Sequence, residues 1–277
     1  MANAPKPNTA KKQGSSSGSN VFASLAIIIC FIIGYLVWKF IMGNPTNFEG
    51  GDPELGQPLP GNYFGMVYKA GFVVPVLLGL LLMTIVFSFE RYFVISRAAG
   101  KGNVDAFVTR IQGFLATGNI DSAVAECDKQ QGSVANVIKA GLLKYKEASA
   151  DTRVNPEQAT IAIQKEIEEA TALEMPMLEK NMTVIATLVS IGTLTGLLGT
   201  VTGMIKAFSA LATGGAPDQA QLANGISEAL INTATGIFTS TIAIVMYNVF
   251  TSKIDKLTYS IDEAGFSIVQ TYASTHS

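Results

Sequence analysis

Histidine, tryptophan and cysteine are nearly absent from this sequence, and charge is scarce. Its 277 residues include one histidine, one tryptophan and two cysteines. Charged residues make up 14%, against about a quarter in soluble domains, while apolar residues make up 48%. The single histidine, His276, is the penultimate residue. A buried imidazole in a Ser-His-Asp or Cys-His arrangement is therefore excluded, and with it the commonest hydrolytic chemistries. Cys30 lies in an apolar run and Cys127 in a polar region, with no metal-ligand spacing between them; both read as small packing residues. A net charge of -2, with cations scattered along the chain, argues against nucleic acid as a partner. No cofactor, metal site or enzymatic activity is expected.

What is abundant is apolar sequence in long runs. Residues 1–20 are rich in Ser, Gly, Asn and Pro, with Lys6, Lys11 and Lys12, the composition of a disordered tail. Residues 21–42 then form an apolar run whose only charge is Lys39. At about 1.5 Å per residue it spans roughly 30 Å. A secretory signal would have an apolar core of only about 7–15 residues followed by a small-residue cleavage site, and no such site follows Met42. A retained membrane helix is expected.

Residues 43–70, with four prolines and three carboxylates, read as a loop. The second span, 71–96, has its apolar core between Phe72 and Phe89, carries Pro75 in its first turn and meets charge at Glu90-Arg91.

Residues 97–181 change character. Val104, Phe107, Val108, Ile111 and Leu115, and later Val134, Ile138, Leu142 and Tyr145, recur at helical spacing. Asn155-Pro156-Glu157-Gln158 reads as an N-cap, a proline at the first helical position and a capping-box glutamine. The stripe Ile163, Ile167, Ala170 and Leu173 faces a partner, with Lys165, Glu166, Glu168 and Glu169 on a solvated face. A third span follows at 182–212, a short turn at 213–218, a fourth span at 219–252 and an amphipathic tail at 253–277.

The expected class is therefore all-α, a multi-pass membrane protein whose long helices extend into a helical domain. Lysines and arginines at 6–12, 91–101 and 253–256 fall on one side of four crossings, which makes that side cytoplasmic. The acidic loop and the 213–218 turn then lie outside, the 97–181 domain and both termini inside. Tyr35, Trp38, Tyr63, Phe64 and Tyr68 would anchor at the outer headgroups.

In the third span Gly192, Gly196, Gly199 and Gly203 form one strip, the small-xxx-small pattern that lets membrane helices touch backbone to backbone. The same span holds six threonines, and the fourth adds Asn232, Thr233, Thr235, Thr239, Ser240 and Thr241. Glu228, Asn232, Thr235 and Thr239 make one stripe, and Thr233 with Ser240 a second. A lone membrane threonine can bond back to its own helix and be inert. This many implies that at least one stripe faces a helix partner or an aqueous lumen. Neither Met182–Ile205 nor Ala229–Ser252 contains Asp, Glu, Lys, Arg or His. A titrating group for proton transfer must come from another protein. Lys206, near the outer end of the third span, reads as a snorkelling side chain.

LLGTVTGMIKAF at 197–208, GISEALINTATGIF at 225–238 and IAIVMYNVF at 242–250 resemble the MotA/TolQ/ExbB family of ion-driven motor subunits, and within it ExbB and TolQ. The resemblance implies an inner-membrane homopentamer around a pore, holding two copies of a single-span ExbD- or TolR-like partner whose membrane aspartate carries the proton. A TonB- or TolA-like protein would receive the work. Carried over by motif, Thr200 and Thr233 would line the ion pathway, with Glu228 at the head of the last span and Asn232 and Thr235 beside them. Ile242 stands where the family has a proline, and the additional first helix is a feature shared with four-span MotA. Proton and sodium coupling, and uptake, envelope maintenance or motility as output, stay open, as do two rivals: a secondary transporter with its own substrate site, and a passive membrane scaffold.

Overall fold

A computed structural model describes residues 16–151, 153, 155–212 and 219–276, with side chains from residue 24 onward. Residues 1–15 of the tail expected at 1–20, and the turn at 213–218, lie outside the described residues. Among the described residues the chain is helical apart from short connections, and four helices are long and apolar enough to cross a membrane.

The first span begins earlier than expected. Helix α1 runs Ser16–Leu36, so residues 16–20 open a helix instead of belonging to a disordered tail. Once a helix is nucleated by its apolar run, each added residue gains a hydrogen bond. A π-helical turn, Val37–Met42, completes the span. Its last carbonyls, at Ile41 and Met42, accept hydrogen bonds from Asn47 Nδ2 at 3.0 and 2.9 Å. Asn62 in turn donates to Asn47 Oδ1 at 3.0 Å and caps α2, Tyr63–Lys69. Thus 43–70, expected as a plain loop, is a folded cap with short 3-10 turns and a helix of its own. Trp38 stacks on Tyr68 with ring centroids 4.7 Å apart. Tyr68 is buried, whereas Tyr63 and Phe64 are exposed; Tyr68 packs the cap and does not anchor at a headgroup.

Helix α3, Val73–Ala99, carries Pro75 in its first turn and continues beyond the apolar core. A Cβ added to Gly34 of α1 would lie 2.8 Å from Gly79 N of α3, so these two backbones touch where the helices cross.

The helical domain comprises α4 (Val104–Ala116), α5 (Ile120–Gln130), α6 (Gly132–Ala150) and α7 (Pro156–Glu179). All nine residues of the two periodic stripes at 104–115 and 134–145 are buried. Asn103, Asn119 and Asn155 cap α4, α5 and α7. The Asn155 side chain accepts from Glu157 N at 3.0 Å, while the expected reciprocal bond from Gln158 does not form. Leu173, expected to face a partner with Ile163 and Ile167, is 69% exposed. Cys30 and Cys127 are both buried, and desolvation pushes the Cys127 thiol up to about 12, so it stays protonated at neutral pH.

Helix α8, Met182–Ala212, is followed by α9, Gln219–His276, whose 58 residues make roughly 87 Å of unbroken helix. The segment expected to be a separate tail continues the last span. Its Ile254, Leu257, Ile261, Ile268 and Tyr272 are buried in the helical domain, against α4, α6 and α7. No glycine or proline interrupts 242–260, and Lys253, Asp255 and Lys256 are exposed, so nothing stops propagation.

Between α7 and α8 the chain breaks at Lys180 and Asn181, the latter at φ 61°. Arg91, only 1% exposed, fills this break. It pairs with Glu90 and donates to the last carbonyls of α7, at Met177 and Leu178, over 3.1 and 3.3 Å. Arg91→Met should strand two carbonyls and a carboxylate, lowering stability by about 3 kcal/mol. Arg91→Lys, a single point charge, should recover only part of this. The midpoint of helix unfolding in detergent measures both; a midpoint unchanged in Arg91→Met would show that the break does not depend on this side chain.

Candidate functional site

Between membrane helices there is no water to expel, so association rests on packing and interhelical hydrogen bonds. The four glycines of α8 are all buried, and each faces α9. A Cβ on Gly196 would sit 3.0 Å from Asn232 O, and one on Gly203 2.7 Å from Gly225 O. One on Gly199 would strike the Asn232 side chain at 2.3 Å, and one on Gly192 would meet Ser240 Oγ at 2.7 Å. Helix α9 contributes its own glycines. A Cβ on Gly236 would lie 2.6 Å from Gly192 O, and one on Gly225 2.7 Å from Ala207 N. Sequence reasoning passed over Gly225 and Gly236. Their separation of about three turns, which puts them on one face, was the signal.

This close approach lets short side chains meet across the interface. Thr200 and Thr233 hydrogen-bond hydroxyl to hydroxyl, each also within reach of Gly196 O, at 3.4 and 3.5 Å. Thr193 donates to Ser240 at 2.9 Å. The remaining hydroxyls mostly turn back on their own helix: Thr202 to Gly199 O, Thr235 to Ile231 O, Thr239 to Thr235 O and Thr241 to Ile237 O, all between 2.8 and 3.0 Å. Beside the Thr200–Thr233 pair, Thr200 borders an open groove of about 600 Å³ walled by Val201, Met204, Ile205 and Phe208.

Glu228 and Asn232 sit apart from that pair, on the face of α9 turned to the corner between α2 and α3. Lys206 does not simply snorkel: its Nζ lies 2.7 and 2.9 Å from the two Glu228 oxygens. The Glu228 side chain is 5% exposed and that of Lys206 52%. The buried carboxylate thus has its counter-charge, while the lysine keeps one side in contact with solvent. Gly71, at φ +89°, makes room; a Cβ there would be 2.3 Å from Glu228 Oε1. Asn232 donates to Ala70 O at 3.0 Å, and its Oδ1 is buried without a partner among the described residues. Glu228 borders two recesses, of about 440 and 300 Å³, the second walled by Pro58, Leu59 and Lys69 of the cap. Of the residues singled out in the sequence, the structure joins Thr200 with Thr233 and gathers Glu228 and Asn232 at the corner. Thr235 belongs to neither group.

Two kinds of comparison bear on this arrangement. The model of the MotA/TolQ/ExbB proton channel family matches residues 129–263, which include α8, most of α9 and the Thr200–Thr233 pair. The chain is 27% identical over 196 residues to the Tol-Pal system protein TolQ of Pseudomonas aeruginosa, covering 70% of this chain and 85% of that relative. It is 30% identical over 189 residues to the putative biopolymer transport protein ExbB-like 1 of Synechocystis sp., covering 66% and 68%. With the biopolymer transport protein ExbB of Pseudomonas putida it shares 28% identity over 145 residues, covering 52% and 44%.

The contact between α8 and α9 can be tested through its glycines. Gly236→Ala places a methyl group against the Gly192 carbonyl and the Gly196 backbone and should destabilise by about 1–3 kcal/mol. Gly113→Ala, in open space on α4, should stabilise by roughly 0.5–1 kcal/mol. Thermal unfolding in detergent reads both, and equal effects of the two substitutions would contradict the close contact.

Proposed function

The chain belongs to the MotA/TolQ/ExbB proton channel family, and from that membership we propose that it is the pore-forming subunit of an inner-membrane motor of the ExbB–ExbD or TolQ–TolR type. The observation that carries this reading is a hydroxyl pair at the α8–α9 contact, bordering an open groove, within stretches 182–205 and 229–252 that hold no Asp, Glu, Lys, Arg or His.

In this reading five copies surround two copies of a single-span partner, whose membrane carboxyl takes up a proton. The basic span ends and both termini lie in the cytoplasm, with the 43–70 cap outside. Hydroxyls suit the wall because each can donate to a carboxylate and accept from a carboxylic acid. They carry no fixed charge that would trap the passing group. Each elementary charge moved through the field contributes about 2.3 kcal/mol per 100 mV. Five equivalent walls around two partner helices cannot all be engaged alike, so successive protonations turn the partner in steps. The work passes to a TonB- or TolA-like protein. No bond chemistry is performed by this chain.

Two other readings have an observation behind them. The added helix α1 fits a four-span, MotA-like stator driving motility. The back-bonded threonines fit a passive scaffold, in which hydroxyls only satisfy their own helix.

Thr200→Val and Thr233→Val separate motor from scaffold, since valine keeps the shape and removes the hydroxyl. Each lost hydrogen bond to the passing carboxyl is worth about 1 kcal/mol, so proton flux in vesicles carrying the chain and its partner should fall roughly fivefold to tenfold per substitution. The mass of the purified complex should not change. Undiminished flux would leave the scaffold as the better account.

A further inference from the structure

We propose that the cleft between the end of α3 and the basic stretch Lys253–Lys256 within α9 holds the phosphate headgroup of an anionic phospholipid. The cleft, about 220 Å³, lies between Ile95, Ser96 and Ala99 on one side and Lys253, Lys256 and Leu257 on the other, with Val104 of α4 closing it. Its floor is apolar, since Ile95, Val104 and Leu257 are buried hydrophobic residues. Its rim is cationic.

The two lysines are held differently. Lys253 makes no ion pair among the described residues, and its Nζ stands 5.2 Å from the centroid of the Tyr92 ring. Lys256 reaches Asp105 Oδ2 at 2.7 Å, but both side chains are more than half exposed, at 62% and 55%. Such an exposed pair is weak and screened, so the lysine can turn to a better anion. Ser96 is exposed and its hydroxyl has no protein partner among the described residues, which leaves a donor for a phosphate oxygen. Among the described residues Asp105 is the only carboxylate paired to a lysine of the rim.

The depth of the cleft identifies the source of the anion. Phe89, Tyr92 and Phe93, between 49% and 64% exposed, form an aromatic collar where the apolar run of α3 ends. Aromatic side chains at that level mark the membrane–water interface, and the cleft opens within about two turns beyond them. A soluble anion would use the lysines but not the apolar floor. A zwitterionic lipid would bring its own cation against them. An acidic lipid uses both features, with each basic residue near an anionic surface worth about a fivefold gain in binding.

The test titrates the full-length chain in mild detergent with phosphatidylglycerol and, separately, phosphatidylcholine of the same acyl chains, counting retained lipids by native mass spectrometry. Phosphatidylglycerol should be retained several-fold better by the parent chain. Lys253→Gln with Lys256→Gln should abolish that preference, whereas Lys165→Gln, on the exposed face of α7, should leave it intact. Asp105→Asn removes the competing carboxylate and should strengthen retention, a gain that loss of folding could not imitate. The proposal is overturned if the parent chain retains both lipids equally, if the double lysine variant keeps its preference, if Asp105→Asn weakens it, or if inorganic phosphate at equal concentration displaces the lipid.

Discussion

The backbone contact between α8 and α9 is the constraint on which the rest of the site depends. Ordinary helix pairs stand 8–10 Å apart, at a distance set by their side chains. Here glycine meets glycine at Gly192, Gly196 and Gly236, and Gly203 meets the backbone at Gly225 and Ala229. Only at such short range can two threonine side chains meet hydroxyl to hydroxyl, as Thr200 and Thr233 do. With larger residues at Gly196 or Gly236 the hydroxyls would separate, and each would keep only the carbonyl of its own helix, as Thr235 and Thr241 do. The polar pair is a consequence of the missing side chains around it.

The same helix that carries Thr233 reaches without a break into the helical domain, where Ile254 to Tyr272 are buried. Helix α8, by contrast, is parted from α7 at Asn181, where Arg91 closes the gap. One wall of the hydroxyl pair is therefore rigidly continuous with the domain and the other ends in a capped break. At the opposite end, Lys206 and Glu228 join the two helices again, and Asn232 binds α9 to Ala70. The contact carries an ion pair only at its Lys206–Glu228 end, while its middle is held by backbone packing and by the uncharged hydroxyl bonds Thr200–Thr233 and Thr193–Ser240. That distribution suits the middle of a membrane, where an unpaired charge is most costly.

Sequence pattern revealed the spans, the domain core and the Asn155 cap because each is a local property. The buried stripes at 104–115 and 134–145, and the cap at Asn155, depend only on neighbours within a few residues. What escaped depends on tertiary partners. Asn47 serves the carbonyls that end the first span, and Arg91 serves those of a helix far along the chain. Leu173 has the right spacing for burial but stands 69% exposed among the described residues. The stripe Glu228–Asn232 could be drawn on a helical wheel, yet nothing on the wheel said that it would face the α2–α3 corner. Lys206 and Glu228 were legible as a pair only to a reader who laid α8 against α9 in register across the short connection between them.

The hydroxyl pair has a property that a charged wall would lack. Either threonine oxygen can be the donor, so reversing the Thr200–Thr233 bond leaves the number of hydrogen bonds unchanged. If a carboxylate approached from the groove, one hydroxyl would give up its neighbour and donate to the newcomer, exchanging one bond for another at a net change of about 1 kcal/mol or less. A protonated carboxyl would be accepted by the same two oxygens with the direction of donation reversed. A lysine in this position would hold the carboxylate by charge and resist its departure, and an aspartate would repel it. What distinguishes Thr200 and Thr233 from hydroxyls such as those of Thr235 and Thr241 is that each oxygen meets a second hydroxyl across a tight, uncharged contact as well as a carbonyl of its own helix.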